Sequence, residues 1–417
     1  MLKESERRPL NVLTTRGWLT YTRYSLRPAD EESRKALNDL GKTSVYPMDE
    51  YLGLDNLPFK VTCDMALALA QECIDAASYE AVATKIEGTY GKKTFGVGKK
   101  GLSADTLRSI TNYIGEIMLN NEDNFVDVVV RNYDPKAIKI GHRRGRPKSE
   151  PFIVYVQTDG ATYPAREEGD IAAGNRENKL GVIFTSDTME EKTDGKGHVR
   201  PSIGEREYVC DVYGVEKHRM HLVAAALKYG LEEADVMIIL SDGADWIRMM
   251  KEEYFPFAQQ ILDLYHLKEN VCKFSDQEFG ADNQAGKAWA KKVNTMLENG
   301  KWKDVLALPE VYQYSEEGGK EVGKGKFNLY NYIWKFRDCI DYPTYLEKGY
   351  LIGSGAVESG HRTVLQSRLK QPGMKWLPSK ASGVLILRAK FRSGLWAKEV
   401  IPIVRKHYSK WHITKGE

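Results

Sequence analysis

Three acidic residues raise the question of chemistry. Asp159 ends the apolar run Phe152-Ile153-Val154-Tyr155-Val156-Gln157-Thr158. Asp242 ends Val236-Met237-Ile238-Ile239-Leu240-Ser241 and opens Asp242-Gly243-Ala244-Asp245-Trp246. Glu358 lies in the helix-opening stretch Gly353-Ser354-Gly355-Ala356-Val357-Glu358. An apolar strand that ends in a carboxylate aims that acid at a cleft. Three carboxylates sharing a cleft repel one another unless cations stand between them, and hard divalent cations choose oxygen ligands. The expected cofactor is therefore Mg²⁺, two ions in one site, with Mn²⁺ as a substitute. One ion activates an attacking water or 3′-hydroxyl, and the other stabilises the leaving oxygen of a phosphoryl transfer. An Asp-Gly pair also makes a plain turn. Two separate apolar strands that both end in Asp-Gly-Ala are what single out Asp159 and Asp242. Asp245, at the start of the next helix, suits a dipole-stabilising role instead.

Further residues gather around these acids in the sequence. Arg362, Gln366 and Leu369 follow Glu358 at roughly helical spacing, so Arg362 and Gln366 are expected to face whatever Glu358 approaches. An arginine beside a metal-binding carboxylate suits a scissile phosphate, although Glu358 and Arg362 could equally form an ordinary surface pair. Asp263-Leu264-Tyr265-His266 reads either as a strand-end aspartate with a packed histidine or, near a phosphate cleft, as a His266 that could donate to a DNA oxygen. Arg143-Arg144-Gly145-Arg146-Pro147-Lys148 has the Arg-Gly-Arg-Pro core of an AT-hook, which would set Arg144 and Arg146 in a narrow minor groove. It also reads as a basic linker.

The elements that must position these groups fall into zones. Residues 1–60 are polar and weakly patterned, with short strands possible near Trp18–Tyr24. Residues 61–125 read as helices, with Ser78 capping Tyr79–Tyr90 and Ser103 capping Ala104–Leu119. The Gly- and Lys-rich loop 91–101 joins the last two. Such a pair fits a helix-turn-helix-like DNA-binding domain or an ordinary helical packing domain. Residues 126–150 form a basic linker. From 151 strands and helices alternate: 152–158, 180–185 and 208–213, then a helix from Val215 to Tyr229, then strands 236–241 and 260–265. That order suits a ribonuclease H-like α/β domain over 151–270 and 346–395, with a mixed five-stranded sheet and Asp159 and Asp242 on its first and fourth strands. The long gap before Glu358 is read as an all-helical insert, 271–345. Residues 396–417 are expected to form a basic tail.

Bulk properties narrow the class. The 417 residues carry a net charge of +3, yet residues 359–417 hold thirteen Lys/Arg against two acids, +11, leaving −8 for the remainder. A basic segment on an acidic body suggests a polyanion surface. No apolar run approaches the roughly 20 residues that span a bilayer, so no membrane is expected. Met1–Arg8 has no apolar stretch behind its charges, so no signal peptide is expected. Five scattered cysteines with no C-x-x-C pair argue against a zinc ribbon or disulfide framework and for a reducing cytoplasm.

Taken together, several segments resemble the bacterial insertion-sequence transposases of the DDE class, Mutator-like branch. They are Tyr155–Ala161, Lys179–Phe184, Leu240–Ile247, Leu262–His266 and Ile352–Ser359, with Arg368–Trp376 and Leu385–Arg388. The resemblance implies that Asp159, Asp242 and Glu358 are the catalytic, metal-binding triad. It implies that Asp263 and His266 form that branch's D-x-x-H element. DNA-contacting roles are expected for Arg144, Arg146, His266, His361, Arg362, Gln366, Lys370 and Lys375. The expected partners are double-stranded DNA, both element ends and target, and a second copy of the chain, as a homodimer or larger assembly on DNA. The expected location is the bacterial cytoplasm, at the nucleoid. Relatives often carry a Cys-rich N-terminal zinc module, which the cysteine-free Arg23-Tyr24-Ser25-Leu26-Arg27 lacks. Two other readings stay open: a transposase-derived DNA-binding regulator, and a nuclease with the same core that does not join ends.

Overall fold

The computed structural model describes residues 1–54, 59–95, 101–141, 150–193, 195, 197, 199–211, 214–323 and 325–413. The chain divides into two compact units. One comprises Met1–Val128, Tyr163–Arg176 and Thr363–Glu417, and the other Val129–Thr162 and Glu177–Arg362.

The first unit opens with a long antiparallel hairpin, β1 (Leu2–Thr14) and β2 (Gly17–Pro28), bulged between Glu4 and Glu6. Only short strands near Trp18–Tyr24 were expected. The hairpin hides in the sequence because residues 2–9 are exposed on both faces and so show no alternation. Its root carries the apolar signal: Leu10, Val12 and Leu13 are buried. Helices α1 (Glu31–Asp39) and α2 (Pro47–Tyr51) follow. Then come α3 (Cys63–Asp75), α4 (Tyr79–Tyr90) and α5 (Ala104–Arg131). Ser78 Oγ caps α4 by accepting from Ala81 N at 3.1 Å, and Ser103 Oγ accepts from Thr106 N at 3.3 Å. α5 runs for 28 residues, well past the expected end at Leu119. Part of the α4–α5 loop, residues 96–100, lies outside the described residues.

The second unit is built on a mixed five-stranded sheet. Its strands are β3 (Ile153–Ala165), β4 (Gly174–Thr185), β7 (Glu207–Asp211), β8 (Val236–Ser241) and β9 (Gln259–Leu262), in the order β7-β4-β3-β8-β9. A separate hairpin, β5 (Met189–Thr193) with β6 (Val199–Ile203), interrupts β4 and β7 and was not foreseen. β8 runs parallel to β3 and to β9, while β7 is antiparallel to β4. Residues 152–158 are buried throughout, which is why β3 reads as an unbroken apolar run rather than an alternation. Helices α6 (Val215–Lys228) and α7 (Asp245–Tyr254) cover one face, where Val154, Val156, Ile239, Leu222, Val223, Ile247 and Met250 form one core.

β9 stops at Leu262 rather than Tyr265. Asp263 instead caps α8 (Leu264–Phe279), its Oδ1 accepting from His266 N at 2.8 Å. The expected helical insert is α9 (Gln284–Glu298), α10 (Trp302–Leu306), α11 (Pro309–Tyr312), α12 (Leu329–Phe336) and α13 (Tyr342–Glu347), entered through α8. α14 (Gly355–Gly360) then carries Glu358. It does not continue regularly to Gln371 as expected. Residues His361–Gln366 are π-helical and lead into α15 (Ser367–Leu369). The helical spacing assumed for Arg362 and Gln366 therefore does not hold, because a π segment takes more residues per turn.

The chain returns to the first unit from Thr363, so the expected catalytic segment 346–395 divides there. α16 (Pro378–Arg392), a π turn at Trp396–Val400 and α17 (Ile401–Ile413) complete it. Trp396, Val400, Val404 and Tyr408 are buried in one core with Met65, Leu69 and Ile114. The expected basic tail is thus helical as far as Ile413 and packed through Tyr408, its apolar face hidden by the many lysines and arginines between. Buried Arg388 donates to the carbonyl oxygens of Ile74, Thr363 and Val364, the last at 2.6 Å. A π turn leaves carbonyls outside the regular ladder, and this guanidinium supplies their donors. Among the described residues, no helix is long and apolar enough to cross a membrane.

Candidate active site

The site grows out of two neighbouring strands. Ile153 pairs with Val236 and Gln157 with Leu240, an offset of 83 along the whole parallel ladder. Asp159 and Asp242 share that offset two residues beyond the last pair, at the carboxyl ends of β3's paired stretch and of β8, where open α/β sheets bind ligands. Each aspartate is fixed by a local hydrogen bond: Gly160 N donates to Asp159 Oδ1 at 2.6 Å, and Ala244 N to Asp242 Oδ1 at 2.9 Å. Gly243 makes the second turn possible. Its φ is +94°, and a Cβ there would meet Phe336 Cζ at 2.9 Å. Tyr332 Oη donates to the Asp242 carbonyl at 3.2 Å, and Lys335 Nζ lies 2.6 Å from Asp245 Oδ1, so α12 braces the turn. Asp245 thus keeps to the opening of α7.

The two carboxyls differ electrostatically. Burial opposes ionisation of Asp159, but the His361 contact, the Gly160 amide and the charge of His266 outweigh it and hold the carboxyl below its usual range. Burial pushes Asp242 up. The Ala244 amide opposes this, while the charge of Asp159 adds to it.

Glu358 is delivered by a braced helix. Gln157 Oε1 accepts from Ala356 N and Val357 N, each at 3.1 Å, capping α14 from the strand that carries Asp159. Buried Asp263 accepts from Ser354 N at 2.5 Å and Ser354 Oγ at 2.7 Å. Gly360 lets α14 approach the sheet, since a Cβ there would meet Tyr208 Cε1 at 2.7 Å. The Glu358 carboxylate is half exposed, and its Oε1 lies 4.0 Å from His266 Nε2. Asp263 therefore acts on Glu358 through backbone, from a helix cap and not from a strand end, and His266 stands in the first turn of α8.

Sequence reasoning missed two neighbours and misjudged a third. Gln157 caps α14, though nothing in its local pattern signals a cap. His218 is buried under the β3 end, with Nε2 2.9 Å from Thr158 Oγ1. Thr158 donates to Leu180 O at 3.0 Å, so the imidazole proton belongs on Nε2. Burial, then the charges of His221, Lys179 and His361, push His218 well below its ordinary range and keep it neutral. His361, expected on DNA, is buried with Nε2 3.3 Å from Asp159 Oδ2, off the line of a good hydrogen bond. Arg362 is exposed beside it. Gln366, Lys370 and Lys375 are also exposed but belong to the first unit. Arg144 and Arg146 lie outside the described residues.

The donor chemistry suits a hard cation at one pair. Asp159 and Asp242 are two oxygen donors whose mutual repulsion already pushes one of them up, and a divalent ion would relieve it. Among the described residues, no three His, Cys, Asp or Glu side chains stand close enough together to hold a metal ion. Glu358 stands beside His266 and forms no such group with the two aspartates.

No family model matches the chain, and no curated protein matches it. Among solved structures, it aligns with a chain of the Drosophila P element transposase strand transfer complex at 12% identity, over 88% of this chain and 85% of that one, with a TM-score of 0.24. A score that low establishes no shared fold.

Proposed function

We propose that the second unit is the ribonuclease H-like catalytic unit of a DNA transposase of the DDE class, which cleaves DNA at element ends and joins the freed strand to a target. The observation that carries this reading is the shared 83-residue offset that puts Asp159 and Asp242 at the same end of the paired parallel strands β3 and β8. The strand order supports it, because the first and fourth strands in chain order lie side by side and both deliver an acid.

Asp159, Asp242 and Glu358 would hold Mg²⁺, or Mn²⁺ in its place. The bound metal would supply activation of the attacking oxygen and stabilisation of the leaving one. Gln157 and Asp263 hold the helix that carries Glu358. His266, next to Glu358, is the donor for a DNA oxygen, and Arg362 the contact for a phosphate. Gln366, Lys370, Lys375, Arg144 and Arg146, with the α4–α5 pair as a helix-turn-helix-like element, would contact the duplex. Joining two ends calls for at least two copies of the chain on DNA.

Strand-transfer assays with labelled element ends test this reading. Joined products that need Mg²⁺ and Asp159 support it. Cleavage without joining identifies a nuclease. A second reading, a DNA-binding regulator without catalysis, is favoured because, among the described residues, Glu358 forms no metal-holding group with the two aspartates. End binding with neither cleavage nor joining establishes that one.

A further inference from the structure

Arg368 is only 1% exposed, yet no carboxylate among the described residues pairs with it. Its guanidinium carbon lies over the Tyr79 ring at 4.9 Å and over the Trp376 ring at 5.2 Å. One nitrogen, Nη1, reaches Met374 Sδ at 3.7 Å, a weak acceptor. The remaining edge is poorly served: Nε and Nη2 are both buried without a well-aligned hydrogen bond among the described residues, the Tyr79 hydroxyl being the oxygen near them. Trp376 Nε1 is buried and unpartnered as well, and the buried Tyr79 hydroxyl, close to Arg368 and Thr111, makes no well-aligned hydrogen bond among the described residues.

The nearby acids are already engaged. Asp75 serves both Arg388, at 3.4 Å, and Arg392, and Glu72 pairs with Lys85 at 2.6 Å. Burial pushes the Arg388 guanidinium down to about 10. Asp75 opposes that shift, and the charges of Arg392 and Arg368 add to it. Asp75, itself partly exposed, is thus shared by Arg388 and the partly exposed Arg392, while Arg368 has no carboxylate of its own among the described residues. Aromatic faces offset part of the cost of a buried cation, but they accept no hydrogen bond in its plane. A water could accept from this edge, yet it would bring two donors of its own and leave the charge uncompensated. A monatomic anion accepts from several donors at once, cancels the charge and needs little room.

We propose that the first unit binds one small inorganic anion of the halide class, held by the Nε–Nη2 edge of Arg368, the indole N–H of Trp376 and the hydroxyl of Tyr79. The site is independent of the transposase reading, since every residue in it belongs to the first unit and none is offered as catalytic.

Thermal unfolding of the full chain in sodium chloride against sodium gluconate, at matched ionic strength, tests the site. The expected result is a saturable rise in Tm with chloride only. Trp376→Phe keeps the ring and loses the N–H, and should raise the chloride needed for half the effect by about threefold or more; Tyr79→Phe should act in the same direction. Arg368→Met should lose the response, and the two conservative variants carry the test if that protein does not fold. Crystals in sodium bromide should give an anomalous peak at the free edge of Arg368. Equal Tm in the two salts overturns the proposal, as does a chloride response that Trp376→Phe leaves unchanged, or a bromide data set with no peak at Arg368.

Discussion

Asp159, on β3, and Asp242, the residue that follows β8, are 83 apart, the same offset as every residue pair along the parallel ladder between those strands. The sheet thereby brings together two like charges. The cost appears on Asp242, which burial pushes up first and the charge of Asp159 pushes up further.

A stability prediction follows from the sign of each shift. Asp159 is held low, so its stabilising contribution is complete above the ordinary carboxyl value of about 4 and is lost as pH falls through its lower folded value. Asp242 is held high, so the opposite applies. The unfolded chain ionises first, and the native state is penalised progressively as pH rises from about 4 through the raised folded value. In metal-free buffer at pH 7, Asp242→Asn should therefore raise Tm. Added Mg²⁺ should raise the Tm of the wild type more than that of the variant, as calorimetry at several pH values would record.

Gln157 links the strand of Asp159 to the helix of Glu358. Gln157→Ala removes the acceptor for two amides and should cost about 1–2 kcal/mol, the usual worth of a lost cap. Hydrogen exchange at Ala356 and Val357 should quicken. A displaced Glu358 should also lower turnover by up to about 100-fold if the positioning account holds.

Gly243→Ala faces both a positive φ and a clash with Phe336. The expected loss is about 1–3 kcal/mol by urea unfolding, with the damage centred on the turn that α12 braces.

Binding to DNA should be electrostatic in large part. Observed affinity should fall linearly in log–log form with salt, and Lys375→Ala should reduce the slope by about 0.9 if that residue neutralises one phosphate. Titrations from about 50 to 200 mM salt would measure it. A flat response would count against the lysines and arginines after Glu358 as a DNA surface.

The central sheet was legible because its strands are buried on both faces, so Phe152–Thr158 and Val236–Ser241 read as apolar runs with an acid at each tip. The N-terminal hairpin was not, since an isolated ribbon with solvent on both sides of residues 2–9 needs no alternation. The last helix was masked by its charge: Trp396, Val400, Val404 and Tyr408 are spread among lysines and arginines, and only packing picks them out. Asp263 was mistaken for a strand end because Ile261-Leu262 and Leu264-Tyr265 look continuous. The chain turns into α8 between them, and the aspartate caps that turn. Roles that arise from tertiary contact, such as Gln157 on α14 and His361 against Asp159, have no local signature.

The most direct test of the account is Mg²⁺-dependent cleavage of labelled element ends by the wild type and by Asp242→Ala, with the variant first checked for a native fold. The account predicts cleavage that requires the metal and falls by at least about 1,000-fold in the variant, the scale of loss when one member of a catalytic unit is removed. Cleavage by Asp242→Ala at the wild-type rate would contradict it.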